Sequence, residues 1–342
     1  MQPRILLLAI WAIPGFLVAC QAPPKSKPST TPPPRETSSG TEQTTTSTAP
    51  PPTTAPTAVT EEIKQVELLE TGTGPFSDLR HQFKHDVTVE RTLELQTAVG
   101  IVIVGQRFPL RPMPRMRLTV TTNMSSEKPF ETAHLQCLVT SAEPINVDQY
   151  EPSVATLVQE QSKEISNLKV LFTINARGHV LESKVESDHN ISASTHQLFD
   201  VLQRALHENI VIFPDKPVGK GSKWQVTKQI SIGGLSVEQQ TIYALQNKKK
   251  NQLDLTVNYK YLGKPQPMPL MSAPKGASAK LEKLSGEGTA TQQLDTATWE
   301  FSSSSHALLE VDYIYHEKGA DRAMGMRMNM DITTHPTTDT KP

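Results

Sequence analysis

The strongest constraint on this chain is a period-two alternation of apolar and polar side chains that recurs through most of residues 61–342. Val87, Val89, Leu93 and Leu95 fall on one face of a strand, and Thr88, Glu90, Thr92 and Glu94 on the other, with Arg91 breaking the apolar face. Met116, Leu118 and Val120 alternate with Arg115, Arg117 and Thr119, as in an antiparallel strand buried on one side. Ala133 to Thr140 reads as its neighbour. Ile101 to Val104 is a continuous β-branched run, as in a strand covered on both faces. Leu168 to Ile174 and His179 to Val185 frame Asn175-Ala176-Arg177-Gly178, a hairpin turn with Gly where positive φ is needed. Further strand patterns cover 225–232, 236–245, 253–261, 284–294, 298–304, 307–315 and 323–333. Gly72 to Pro75 reads as a turn, and the proline-rich Phe108 to Pro114 as a loop or edge.

One helix stands out. From Thr195 to Glu208, Leu198, Val201, Leu202, Ala205 and Leu206 recur at three- and four-residue intervals. Ser194 and Gln197 form a capping-box pattern at its start. A shorter helix is predicted over 153–166, after Pro152. The expected fold is mainly β (α+β): a curved antiparallel sheet or half-barrel packed on one or two helices and preceded by a disordered linker. Two similar halves, 61–150 and 168–335, are suggested by a weak repeat. Gly72-x-Gly74-x-Phe76 parallels Gly219-x-Gly221-x-x-Trp224, and Leu118-Thr119-Val120 parallels Leu255-Thr256-Val257.

Residues 1–19 carry one charge, Arg4, and an apolar run too short to span a bilayer, as in a secretory signal peptide. Leu17-Val18-Ala19-Cys20 resembles the lipobox of bacterial lipoproteins. That resemblance implies a lipidated Cys20 as the new N-terminus and a cell-envelope location. Gln21 at the next position, where Asp would signal retention, implies the outer membrane. Residues 21–60 hold 10 Pro, 12 Thr and 5 Ser with Val59 as the sole large aliphatic side chain, so they cannot offset chain entropy by burial. This linker reaches between roughly 35 Å as a coil and roughly 120 Å as polyproline II. With Cys20 lipidated, Cys137 has no disulfide partner and reads as a small buried hydrophobe.

Phe213-Pro214-Asp215-Lys216-Pro217-Val218-x-x-Gly221-x-x-Trp224 resembles a motif of uncharacterised bacterial envelope lipoproteins. These pair it with an upstream Gly-centred hairpin, here 175–181, and a downstream Gly-x-Gly strand, here from Gly286, that ends in an Asp turn. The similarity covers about 168–305. The family's Asp turn carries a glycine, whereas Asp295-Thr296-Ala297-Thr298 has none. No activity comes with the resemblance. The general shape is similar to LolA/LolB-type lipoprotein carriers, an analogy of fold alone.

The chain has 34 basic and 35 acidic residues and a pI near 6.8, which gives nucleic acid no electrostatic attraction. No metalloprotease, nucleophile-elbow, Walker or Cys-x-x-Cys signature occurs, so no catalytic, cofactor or metal residue is assigned. Ser-x-x-Lys occurs three times without supporting motifs. Met324, Met326, Met328 and Met330 share one strand face. They suit a core strand, a deformable wall for a lipid, or a Cu(I) site if His306, His316 or His335 converge on them. Trp224 suits a core plug or a ligand-stacking surface. His81 and His85 are expected on the surface of a strand. The expected function is that of a lipid-anchored, non-enzymatic envelope protein binding a hydrophobic ligand or lipid. The alternative is an assembly module binding an envelope protein at an open sheet edge. An unrecognised hydrolase stands behind both.

Overall fold

The computed structural model describes residues 62–337 except 84–85, 104, 129–130, 188–190, 271–273 and 275. Cys20, the leader, the linker and His85 lie outside the described residues.

The protein is mainly β, with one large antiparallel sheet that is not closed into a barrel. Its twelve main strands are β1 (Glu62–Glu70), β2 (Val87–Ile103), β3 (Arg115–Lys128), β4 (Thr132–Ile145), β5 (Lys169–Asn175) and β6 (Val180–Glu186), followed by β7 (Lys223–Ile232), β8 (Leu235–Lys249), β9 (Gln252–Gly263), β10 (Ser278–Asp295), β11 (Phe301–Glu317) and β12 (Ala320–Pro336). Their spatial order is β1-β7-β8-β9-β10-β11-β12-β2-β3-β4-β5-β6. Two meanders, 87–186 and 223–336, are therefore joined where β12 pairs with β2, Met330 opposite Thr97. The segment between 150 and 168 separates β4 from β5 in the chain, and the two strands pair with Leu135 opposite Phe172. The two glycine motifs of the weak repeat lie against each other: short strands Thr73–Ser77 and Val218–Lys220 pair antiparallel. A Cβ on Gly219 would sit 2.0 Å from the Thr73 carbonyl oxygen, so backbone approach explains that glycine.

Two helices follow the sequence closely. α1 (Pro152–Ile165) starts on its proline and packs on β4. α2 (Ala193–Glu208) begins earlier than its apolar stripe suggests. Ser192, in extended backbone, accepts the Thr195 amide and is the N-cap, which puts Ser194 inside the first turn. Gly72 to Pro75 is not simply a turn, since Thr73–Ser77 forms a strand. The patterns at 298–304 and 307–315 merge into the single strand β11, with Ala297 and Trp299 buried before it. Ile101 to Ile103 are only half-buried; the short strands Gln106–Arg107 and Arg111–Pro112 cover the edge of β2 there.

The sheet curves around α2. His207 sets its ring edge-on to Phe172 of β5, with centroids 4.5 Å apart. The next residue, Glu208, accepts hydrogen bonds from Gln239 Nε2 on β8 and Tyr261 OH on β9, each 3.2 Å. β5 and β9 stand seven places apart in the sheet, so one helix turn touches both only if the sheet wraps it. Phe199, Leu202, Ala205 and Leu206 of α2 are buried in the core shared with β2–β5. A second core lies along β7–β11 and is rich in Leu, Val and Tyr. Burial of these side chains is the main stabilising term.

Candidate functional site

Trp224 is fully buried. Its ring stacks on Tyr243 at 5.3 Å, and its Nε1–H donates to the Ile212 carbonyl at 2.7 Å. The methionines lie on the inner face of β12. Met326 and Met330 are buried in different cores, and Met324 and Met328 pack partly buried against the first. His306 and His316 project from the opposite face of β11, each hydrogen-bonded to an aspartate, Asp331 and Asp321. The structure therefore does not bring these histidines to the sulfurs. Among the described residues no group of three His, Cys, Asp or Glu could hold a metal ion. Cys137 is buried, and burial pushes its thiol up.

His81 is not on the surface, nor in a strand. It is fully buried, its Nε2–H donating to the Val211 carbonyl at 2.9 Å. Its ring lies against Phe213 at 4.7 Å and Trp299 at 4.8 Å. Burial holds its pKa down at about 4. Arg91, the apparent break in an apolar face, is also buried. Its guanidinium stands 4.0 Å over the Phe301 ring and donates to the Trp299 carbonyl and toward Thr122. Trp299 takes φ +61, so the Asp turn without glycine closes by placing a tryptophan in the left-handed region. Asp295 Oδ1 caps that turn by accepting the Ala297 and Thr298 amides.

These residues explain the 213–224 motif as a fastener. Arg177, at the tip of the β5–β6 hairpin, donates to the carbonyls of Leu79, Pro214 and Asp215 and pairs with Asp78 at 2.6 Å. The Phe213 amide donates to the Arg177 carbonyl. Gly178, at φ +84, leaves no room for a Cβ, which would fall 2.1 Å from the Val211 oxygen. The hairpin tip, the exit of α2, residues 78–83 and the start of β7 are thereby tied together.

A concave site lies elsewhere, on the outer face of the β2–β6 arm. A groove of 570 Å³ crosses all five strands. Pairing register sets its floor in two rows. One runs Thr88, Asn123, Gln136, Leu171, Lys184, and the other Ser125, His134, Thr173, Glu182. Asp86, one residue before the Val87–Met124 pair, continues the second row at its far end. Thr88 donates to Asn123 Oδ1 at 2.9 Å, and His134 Nδ1 meets Thr173 Oγ1 at 3.1 Å. The Lys184 ammonium is held by Glu186 at 2.8 Å. The arrangement offers amide, hydroxyl, imidazole and carboxylate groups. The edge beside it, β6, carries Glu182, Lys184 and Glu186 and an irregularity opposite Thr173–Ile174, devices that discourage strand addition. None of the groove residues carried a sequence signal, because an outward polar face looks the same whether or not anything binds it.

Residues 164–298 match a family of unknown function, DUF6263. That span takes in the hairpin, α2 and the 213–224 fastener. No curated protein matches the chain. Among solved structures, the outer membrane protein OmpT of Vibrio cholerae in a loop-deletion form is 9% identical over 73% of this chain and all of that one, with a TM-score of 0.14. In-vitro folded OmpT of Vibrio cholerae is likewise 9% identical over 73% of this chain and all of its own, at 0.15. Similarity at that level supports no inference about this fold.

Proposed function

We propose that this chain is a lipid-anchored, non-enzymatic protein of the cell envelope, tethered through Cys20 to the outer membrane and binding an envelope protein with the outer groove of the β2–β6 arm. The observation that carries this reading is that the curved sheet is filled from inside by α2, while concavity remains on its outer face. No helix among the described residues is long and apolar enough to cross a membrane. The guarded β6 edge favours docking on the face over strand addition. Crosslinking in intact cells tests it. The native chain should yield one stoichiometric partner, and a Gln136→Arg/Thr173→Arg variant should lose it; equal yields from both would overturn it.

A second reading keeps a hydrophobic ligand or lipid inside the sheet, in place of α2. It is favoured by the two partly buried methionines, Met324 and Met328, bordering the apolar core of β7–β11. Mass spectrometry of lipids retained by the purified chain decides it, because a chain that carries none leaves this reading without support.

A further inference from the structure

We infer, building on the partner-binding reading, that the groove receives an extended basic segment of the partner lying across the strands rather than along them. The floor is five strands wide, which is roughly 19 Å at the usual inter-strand spacing, or about six residues of extended chain. Its second row begins and ends in carboxylates, Asp86 and Glu182; among the described residues neither forms a salt bridge, and Glu182 feels the Lys184 ammonium only at longer range. The row that borders the groove adds Glu90, Lys169 and Glu186. Counted together with Lys184, these are four carboxylates against two ammonium groups, and Lys184 is already engaged by Glu186. The acceptors thus stand at the two ends of a floor of neutral hydrogen-bonding groups. Asn123, Gln136, Ser125 and Thr173 suit backbone amides, and the end carboxylates suit lysine or arginine side chains about six positions apart. The one ring projecting from these rows is the His134 imidazole, and its Nδ1 is engaged with Thr173 Oγ1 at 3.1 Å.

Fluorescence anisotropy with the full chain in detergent tests this. The probe is a labelled heptapeptide of alternating threonine and serine with lysine at each end, and its control carries glutamate instead. The lysine peptide should bind saturably at low salt and weaken about tenfold by 0.3 M salt, as exposed charge pairs do. Asp86→Lys/Glu182→Lys should abolish that binding and let the glutamate peptide bind, with the far-UV circular dichroism of the folded sheet retained. Equal affinity for the two peptides, or indifference to the charge reversal, would overturn the inference. A crosslinked cellular partner that survives Asp86→Lys/Glu182→Lys but is lost in Gln136→Arg/Thr173→Arg would overturn it while leaving the partner-binding reading intact.

Discussion

His81 carries the clearest pH dependence in the molecule. Its native pKa of about 4 lies below the 6.5 of an ordinary imidazole. Between these values the unfolded chain takes up a proton that the native one refuses. Stability is therefore complete above pH 6.5 and falls as pH drops toward 4, by about 3 kcal/mol from this group. Urea denaturation of His81→Gln at pH 7, 5.5 and 4 should show a shallower loss than the native chain over that window. A pair of glycines separates space from strain. Gly178 and Gly221 both have positive φ, but a Cβ at Gly221 meets nothing within 4 Å. Gly221→Ala should cost about 1 kcal/mol, the left-handed backbone alone, whereas Gly178→Ala must also displace the Val211 carbonyl and should cost at least about twice that. Thermal melting of the two variants checks the ratio. The turn at Gly178 was legible because its geometry is local. The burial of His81 and Arg91 was not, because both depend on Trp299, Phe213 and Phe301, more than 100 residues away in the chain.

At the scale of elements, α2 and the 213–224 segment hold the interior. Leu202 of α2 is fully buried, and Leu202→Ala should cost about 2–5 kcal/mol in chemical denaturation. Trp224→Phe leaves the Ile212 carbonyl without its donor inside the core and should cost about 1–3 kcal/mol before any cavity is counted. Both helices and nearly all strands were readable from periodicity, since a buried face repeats at the spacing of its own backbone. What misled was local chemistry with more than one outcome. Ser192 and Ser194 are equal candidates for a cap, and only the extended backbone at Ser192 decides between them. The glycines at 72 and 219 lie on two sides of one close backbone crossing, a contact that local sequence does not announce.

Across the whole molecule, the curved sheet was foreseeable and its order was not. β12 pairs with β2, and β1 with β7, across sequence separations that carry no local signal. The groove shares that origin: its floor is assembled from five strands, and each contributes one or two ordinary polar residues. The central claim is that the outer face of this arm, and not the interior, is where a partner sits. The most direct measurement is photocrosslinking in intact cells from a reactive side chain placed at position 136, in the groove floor, against one at position 258, exposed on β9 outside the groove. The account predicts a single adduct from position 136 and none from 258; matching adduct patterns from both positions, or none from 136, would contradict it.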